Sequence, residues 1–369
     1  MSTLQERVEN YRNWLKEKNI DVALLTSSDT VFYFSGFTSD PHERVLAIVL
    51  FPEEESFLFC PQLELETAKA TGFPHSVYGY RDTENPWEKI KEEILKRTPS
   101  VSTIAIEKQH MTVNRYEALR KIFPDATFIA SDEKINELRM IKDQAEIEKL
   151  RKACELADEA IRIGCEAIVE GITENELVAI VEYELKKKGV QKMSFQTTIL
   201  TGPNAANPHG TPGANKVKNG DFVLFDLGVV YEGYCSDITR TIGVGDVPEE
   251  HIQIYHTVLK AQEAAVNACK PGKTCASIDR IARDLISEAG YGEYFTHRLG
   301  HGLGINIHEY PSVHANNELE LKEGMVFTIE PGIYIPGKVG VRIEDDVVIT
   351  KNGVEVLTKY PKELQIIPI

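Results

Sequence analysis

Leu4, Val8, Tyr11 and Leu15 recur at the three-to-four spacing of a helix, with charged residues between them, which predicts a helix from Leu4 to Lys18. Two apolar runs follow, Val22-Ala-Leu-Leu-Thr26 and Val45-Leu-Ala-Ile-Val-Leu-Phe51. Each is bounded by turn-forming residues and reads as a buried strand. Glu88 to Arg97 is helical in period, Ile104-Ala-Ile106 strand-like, and Val113 to Ile122 helical again. Strands alternating with helices predict an α/β sandwich around a mixed or parallel sheet. No segment of this stretch concentrates histidines or carboxylates.

The pattern changes near Lys142. Apolar positions at Ile147, Leu150, Ala153, Leu156, Ala160 and Ile163 predict one long helix from Asp143 to Glu170, stopped by Gly171. Thr173-Glu-Asn-Glu176 then has the form of a capping box that opens the next helix. The boundary between the two patterns falls near residues 138–142, so we divide the chain into residues 1–138 and 139–369. Beyond Ser194 the sequence becomes strand-rich and holds most of the histidines and carboxylates placed among apolar residues.

Composition narrows the function. A chain of 369 residues is long enough for two or three domains, and 42% hydrophobic with 27% charged residues is an ordinary globular balance. Lys plus Arg number 41 and Asp plus Glu 57, a formal net charge of −16. That sign argues against a general affinity for nucleic acid or an anionic membrane. No apolar stretch approaches the roughly 18 residues of a membrane span, and Met1 to Arg7 lacks the pattern of an export signal. Six scattered cysteines without a CxxC pair fit reduced thiols in a cytoplasm rather than a disulfide frame or thiolate zinc site.

Four segments carry the candidate chemistry: Val223-Leu-Phe-Asp226-Leu-Gly228, Gly233 to Thr241 around Asp237, His297 to Glu309 around His301, and Met325 to Asp346 with Glu330 and Glu344. Ionised carboxylates within apolar strands lose their hydration at a cost of several kcal/mol unless partners replace it. Each has an ordinary alternative. Asp226 could cap a turn, Asp237 could accept from Thr239 or Arg240, and Glu330 could mark the turn at Pro331-Gly332. His301 could be a satisfied core histidine, and Glu344-Asp345-Asp346 a solvated acidic turn. Taken together, one histidine and four carboxylates are met more simply by divalent metal, an oxygen-rich donor set suited to manganese, cobalt or zinc. Five side chains suffice for two ions if some carboxylates bridge.

The run His297 to Glu309 resembles the signature of the proline-directed metallopeptidases that share the pita-bread fold with methionine aminopeptidases. Asn204-Ala-Ala-Asn-Pro-His209 and Glu330-Pro-Gly-Ile-Tyr-Ile-Pro336 are most similar to the Xaa-Pro dipeptidases, or prolidases, of that family. The resemblance implies an α/β (α+β) chain, with a creatinase-like N-terminal α/β domain and a pita-bread catalytic domain. It implies two divalent ions per subunit, manganese before cobalt or zinc, held by Asp226, Asp237, His301, Glu330 and Glu344. Asp237 and Glu344 would bridge the ions, which share an acidified water. Glu330 would serve as general base, and His209 and His308 would bind substrate and the developing oxyanion. His297 would line the site, with simple packing as its alternative, and Arg342 would orient the carboxylates. The implied reaction is hydrolysis of Xaa-Pro dipeptides by a cytoplasmic homodimer, with no nucleic-acid or membrane partner. Two alternatives remain: an aminopeptidase P acting on longer Xaa-Pro peptides, and a binding protein that has lost catalysis. Finally, Phe34 to Arg44 reads as a charged surface loop. In prolidases the N-terminal domain overhangs the partner's site, so the loop is either a gate or a solvated turn.

Overall fold

The computed structural model describes residues 3–369; Met1 and Ser2, where the segment read above as carrying no export signal begins, lie outside them. Two compact units divide the chain, Met1–Leu138 and Arg139–Ile369.

The first unit runs α1 (Thr3–Glu17), β1 (Val22–Leu25), α2 (Ser28–Ser35), β2 (Ala47–Leu50), β3 (Phe57–Pro61), α3 (Leu65–Lys69), β4 (Ser76–Tyr80), α4 (Pro86–Arg97), β5 (Thr103–Ile106), α5 (Val113–Ile122) and β6 (Thr127–Ala130), and enters α6 (Asp132–Met140). Its six strands form one sheet in the order β4-β3-β2-β1-β5-β6. The β1–β2 and β2–β3 pairs are antiparallel and the rest parallel, so the sheet is mixed. Val22, Leu24, Val49, Phe57 and Phe59 pack its core with Ile90 and Ile94 of α4.

The sequence pattern did not reveal α2, α3, α6, β3, β4 or β6. In α2 the reason is visible. Ser27 caps its N-terminus and Gly36 ends it at φ 71, a left-handed turn that glycine takes without strain. The helix is mostly buried, so no polar face marks its period. Phe34 and Ser35 therefore belong to this helix, not to the loop expected from Phe34 onward. In the connection that follows, Arg44 makes a two-pronged ion pair with Asp82 at 2.9 and 3.0 Å.

The second unit contains α7 (Gln144–Ala167), α8 (Glu174–Lys187), β7 (Lys192–Met193), β8 (Thr198–Thr201), β9 (Phe222–Leu227), β10 (Val229–Tyr231), β11 (Tyr234–Cys235), β12 (Ile238–Val244), α9 (Glu249–Ala268), α10 (Cys275–Glu288), β13 (Gly300–Gly302), β14 (Glu309–Val313), β15 (Val326–Ile329), β16 (Gly332–Ile335), β17 (Val339–Arg342), β18 (Asp345–Ile349), β19 (Val354–Val356) and β20 (Ile366–Ile367). Capping boxes open both α7, at Asp143 and Glu146, and α8, at Thr173 and Glu176. The long helix ends at Ala167, three residues before the expected Glu170. Ile168 turns extended at φ −65, ψ 121 and goes into the core, so the chain leaves the helix before Gly171 is reached.

The architecture of this unit is a helix pair over a sheet, twice. α7 and α8 cover the sheet β20-β12-β9-β8, where Ala153, Ala157, Ala160 and Leu177 meet Val223, Phe225 and Ile238. α9 and α10 cover β14-β13-β15-β18-β19, where Val258, Ala261 and Ile278 join a core with Phe327, Ile329 and Val347. Gly164 permits the close approach of α7 to β9. A Cβ there would lie 2.4 Å from the Phe225 ring. The helices cover one face of each sheet, and the candidate carboxylates come from strands and strand ends of both.

Candidate metal centre

Each sheet contributes its share of the candidate ligands. Asp226 lies near the end of β9, and Asp237 immediately precedes β12, its antiparallel neighbour. From the other sheet, His301 is the middle residue of β13, Glu330 follows β15, and Glu344 precedes β18. Three of the four carboxylates therefore sit at strand breaks, not within strands as the apolar runs suggested. Leaving the ladder frees the backbone to turn the side chain inward while flanking residues stay buried. His301 has a different device: a register shift between His301 and Gly302. Gly300 is required beside it, because a Cβ would lie 1.9 Å from the Thr328 carbonyl oxygen.

The side chains converge on one cavity of about 740 Å³, lined by all five candidate ligands together with His209, His297, His308, Arg298 and Arg342. Asp237, His301 and Glu344 are buried, and each offers a donor atom within 4.8 Å of the other two. His301 Nε2 lies 3.7 Å from Asp237 Oδ2 and 3.4 Å from Glu330 Oε1. Asp226 and Glu330 flank this trio; Asp226 Oδ2 accepts from Arg342 Nη2, and Glu330 Oε1 from the Thr328 hydroxyl at 3.2 Å.

The electrostatics ask for a cation. Burial, then Glu344 and Asp226, pushes the Asp237 carboxyl well above the carboxylate range, and burial with Glu330 and Asp226 does the same to Glu344. Glu330 is pushed up to about 7, mainly by burial. His301 goes the other way, down to about 3, through burial and the neighbouring His308 ring 4.2 Å away. With His301 Nδ1 directed at the Gly302 carbonyl oxygen at 3.1 Å, its proton belongs there, and the Nε2 lone pair faces the carboxylates. Asp237 Oδ1 is buried and has no hydrogen-bond partner among the described residues. Clustered acids, an inward lone pair and an orphaned carboxylate oxygen fit a divalent ion, and the donors are hard oxygens with one imidazole nitrogen.

Behind the trio the donors are fixed by neighbours. The Thr239 hydroxyl donates to Glu344 Oε2 at 2.6 Å and accepts from Arg342 Nε at 3.0 Å. Arg342 Nη1 donates to the Tyr334 hydroxyl at 2.9 Å, and that hydroxyl lies 2.9 Å from His297 Nε2. His297 Nδ1 lies 2.7 Å from the Arg298 carbonyl oxygen, so both ring nitrogens are engaged within the protein. Burial and Arg342 hold His297 down to about 4, which keeps it neutral. His308 and His209 differ from it in being exposed at the cavity rim.

Comparison with known proteins identifies the family. Residues 148–351 match the model of metallopeptidase family M24, and residues 7–141 match the creatinase/prolidase N-terminal domain. The chain belongs to metallopeptidase family M24. It is 48% identical to the Xaa-Pro dipeptidase of Lactobacillus delbrueckii subsp. lactis over 364 residues, which is 98% of this chain and 99% of that one. The prolidase of Pyrococcus horikoshii OT3 superposes with a TM-score of 0.90 at 40% identity, covering 97% of this chain and 99% of that structure. The Xaa-Pro dipeptidase of Bacillus anthracis superposes with a TM-score of 0.92 at 35% identity, covering 99% and 100%. The M24 chain thus combines a creatinase-type N-terminal domain with a pita-bread metallopeptidase domain, and its family implies a divalent metal cofactor.

Sequence reasoning passed over Tyr334 and offered Thr239 only as a donor to Asp237. The Thr239 hydroxyl instead meets Glu344 across 105 positions, and Tyr334 links Arg342, eight positions away, to His297, 37 positions away. Only folding brings these groups together. The six cysteines are all free and buried, and among the described residues no helix is long and apolar enough to cross a membrane.

Proposed function

We propose that this chain is an Xaa-Pro dipeptidase of the cytoplasm that works as a homodimer with two divalent ions per subunit, manganese before cobalt or zinc. One observation supports it above the others: a buried Asp237–His301–Glu344 trio with an unpartnered carboxylate oxygen, flanked by Asp226 and Glu330 in an open cavity. In this reading the two compact units are the two domains, and Asp226, Asp237, His301, Glu330 and Glu344 would hold the ions. When bound, the ions neutralise the carboxylates and lower the pKa of a nucleophilic water.

The protein's own groups do the rest. Glu330, at the cavity wall, takes the proton from the attacking water at its carboxylate. It returns that proton to the proline nitrogen, which has no N–H of its own and must be protonated to leave. His308 and His209 stand at the rim, where an imidazole N–H can meet the oxygen on which charge develops. Arg342 holds Asp226 and Tyr334 from behind. Tyr334 in turn holds His297, whose role is to orient this hydrogen-bond chain. Arg298, on the same wall and bonded to the Ser312 hydroxyl at 3.1 Å, presents a cation for the proline carboxylate.

The test is a panel of Xaa-Pro dipeptides and Xaa-Pro-Xaa tripeptides, assayed after reconstitution with manganese, cobalt and zinc in turn. Dipeptides are cleaved and tripeptides spared if the reading holds. Comparable tripeptide cleavage would make the chain an aminopeptidase P. No hydrolysis, together with no stoichiometric metal, would make it a binding protein.

A further inference from the structure

Glu174, the first residue of α8, is fully buried and forms no ion pair with Lys or Arg among the described residues. A carboxylate in that position is stabilised only by dipoles and N–H donors, and it has collected them from two places. Its Oε1 accepts from the Thr201 amide at 2.8 Å and from Asn204 Nδ2 at 2.9 Å. Its Oε2 accepts from the Gly213 amide at 2.8 Å and Asn215 Nδ2 at 3.1 Å. The first pair belongs to the incoming end of one loop and the second to its outgoing end. Helix capping does not explain this, because α8 already has a complete box at Thr173 and Glu176.

Between those ends the loop is held by local contacts. The Asn207 amide donates to the Asn204 carbonyl at 3.1 Å and the Gly210 amide to the Asn207 carbonyl at 2.8 Å. Its tip, Pro208 to Thr211, lines the catalytic cavity and carries His209. We propose that Glu174 is the positioning residue for His209: one buried carboxylate clasps both ends of the loop and so fixes where its exposed tip stands. Closing a loop at its base removes most of the freedom of the segment above it. Small displacements of a substrate-contacting group are expensive in rate. The inference rests on the substrate role proposed for His209 and goes beyond it, since Glu174 touches neither substrate nor metal.

The test is a double-mutant cycle on the manganese-loaded enzyme with an Xaa-Pro dipeptide, accompanied by bound-metal analysis and amide hydrogen exchange. Glu174→Gln keeps the side-chain volume but turns an NH₂ group toward N–H donors. It lowers kcat/KM about tenfold with bound manganese unchanged, and in a His209→Ala background it lowers kcat/KM by less than about twofold. Equal losses in both backgrounds, or loss of metal, overturn the proposal. If Glu174→Gln does not fold, Asn215→Ala removes one donor and shows the same non-additivity at smaller size. If the wild type cleaves no Xaa-Pro dipeptide, or His209→Ala has no effect, the functional reading fails and the clasp is judged by exchange alone. Loss of protection at the Thr201 and Gly213 amides in the Glu174 variant supports it; unchanged protection overturns it.

Discussion

Glu309 opens β14 directly after His308, and its buried carboxylate lies between two cations: Arg139 Nη2 at 2.5 Å and Lys142 Nζ at 3.2 Å. The Asn306 amide adds a third donor at 2.9 Å, so the turn that carries His308 is fastened to this triad. Burial alone would raise the carboxyl pKa. Arg139, Lys142 and the Asn306 amide outweigh it and hold the group down to about 2. Against an ordinary glutamate value of about 4.3, at about 1.36 kcal/mol per pKa unit, the ionised form gains roughly 3 kcal/mol from folding. An independent figure agrees: removing one member of a buried ion pair costs about 3–5 kcal/mol, because the cations left behind stay desolvated.

Glu309→Gln should therefore destabilise the fold by about 3 kcal/mol at pH 7, a fall on the order of 10 °C in Tm for a unit of this size. The sign of the pH dependence follows from the depressed pKa. The stabilisation is complete above the unfolded value near 4.3 and is lost as pH falls through about 2. Wild type and variant should differ by a constant amount above roughly pH 5 and converge below it. Denaturant unfolding of the metal-free proteins between pH 3 and 8, followed by tryptophan fluorescence and far-UV circular dichroism, measures both quantities. A difference under about 1 kcal/mol at pH 7, or one that does not shrink on acidification, would refute the argument.

Other outcomes follow from the site. Asp237→Asn replaces a buried donor that four other acids surround, Glu344, Asp226, Asp346 and Glu330; bound manganese, measured by plasma mass spectrometry, should fall to one ion or none per chain and activity should vanish. His308→Ala should leave metal content near normal and lower kcat about 10²-fold, the scale for a positioned donor to a developing oxyanion; metal loss would make His308 a ligand. Gly300→Ala places a Cβ against the Thr328 carbonyl oxygen, and the resulting strain beside His301 should cost about 1–3 kcal/mol and weaken metal binding together with Tm.

The parts of the chain that were legible are those whose pattern is local. The helix Val113–Ile122 and the core of the long helix after Asp143 follow from the spacing of apolar residues, because one face of each meets a core. The mixed sheet followed from strand and helix alternation, yet half of its strands escaped notice. Strand β4 is only half-buried along most of its length, and β6 is an edge strand with exposed ends. Neither shows a clean apolar run.

The candidate site divides along the same line. A carboxylate among apolar residues is visible in sequence, because its cost is local, and that singled out Asp226, Asp237, Glu330 and Glu344. Their setting was misread for the same reason. An apolar run reads as one strand, whereas at Asp237, Glu330 and Glu344 the strand is interrupted at the acid. Glu174 is the opposite case. It stands inside Thr173-Glu-Asn-Glu176, where the capping pattern accounts for Thr173 and Glu176 and leaves Glu174 looking like an ordinary first-turn acid. What sets it apart is a loop that returns 27 to 41 positions later to donate to it. No periodicity encodes such a return. A long-range hydrogen bond leaves its mark on the chain only as polar residues at both ends, and many solvated loops have those. Two kinds of buried acid stand out in this fold. Those of the cavity lack enough donors from the protein and call for cations, whereas Glu174, Glu309 and Asp345 are fully supplied with donors and hold the surrounding backbone in place.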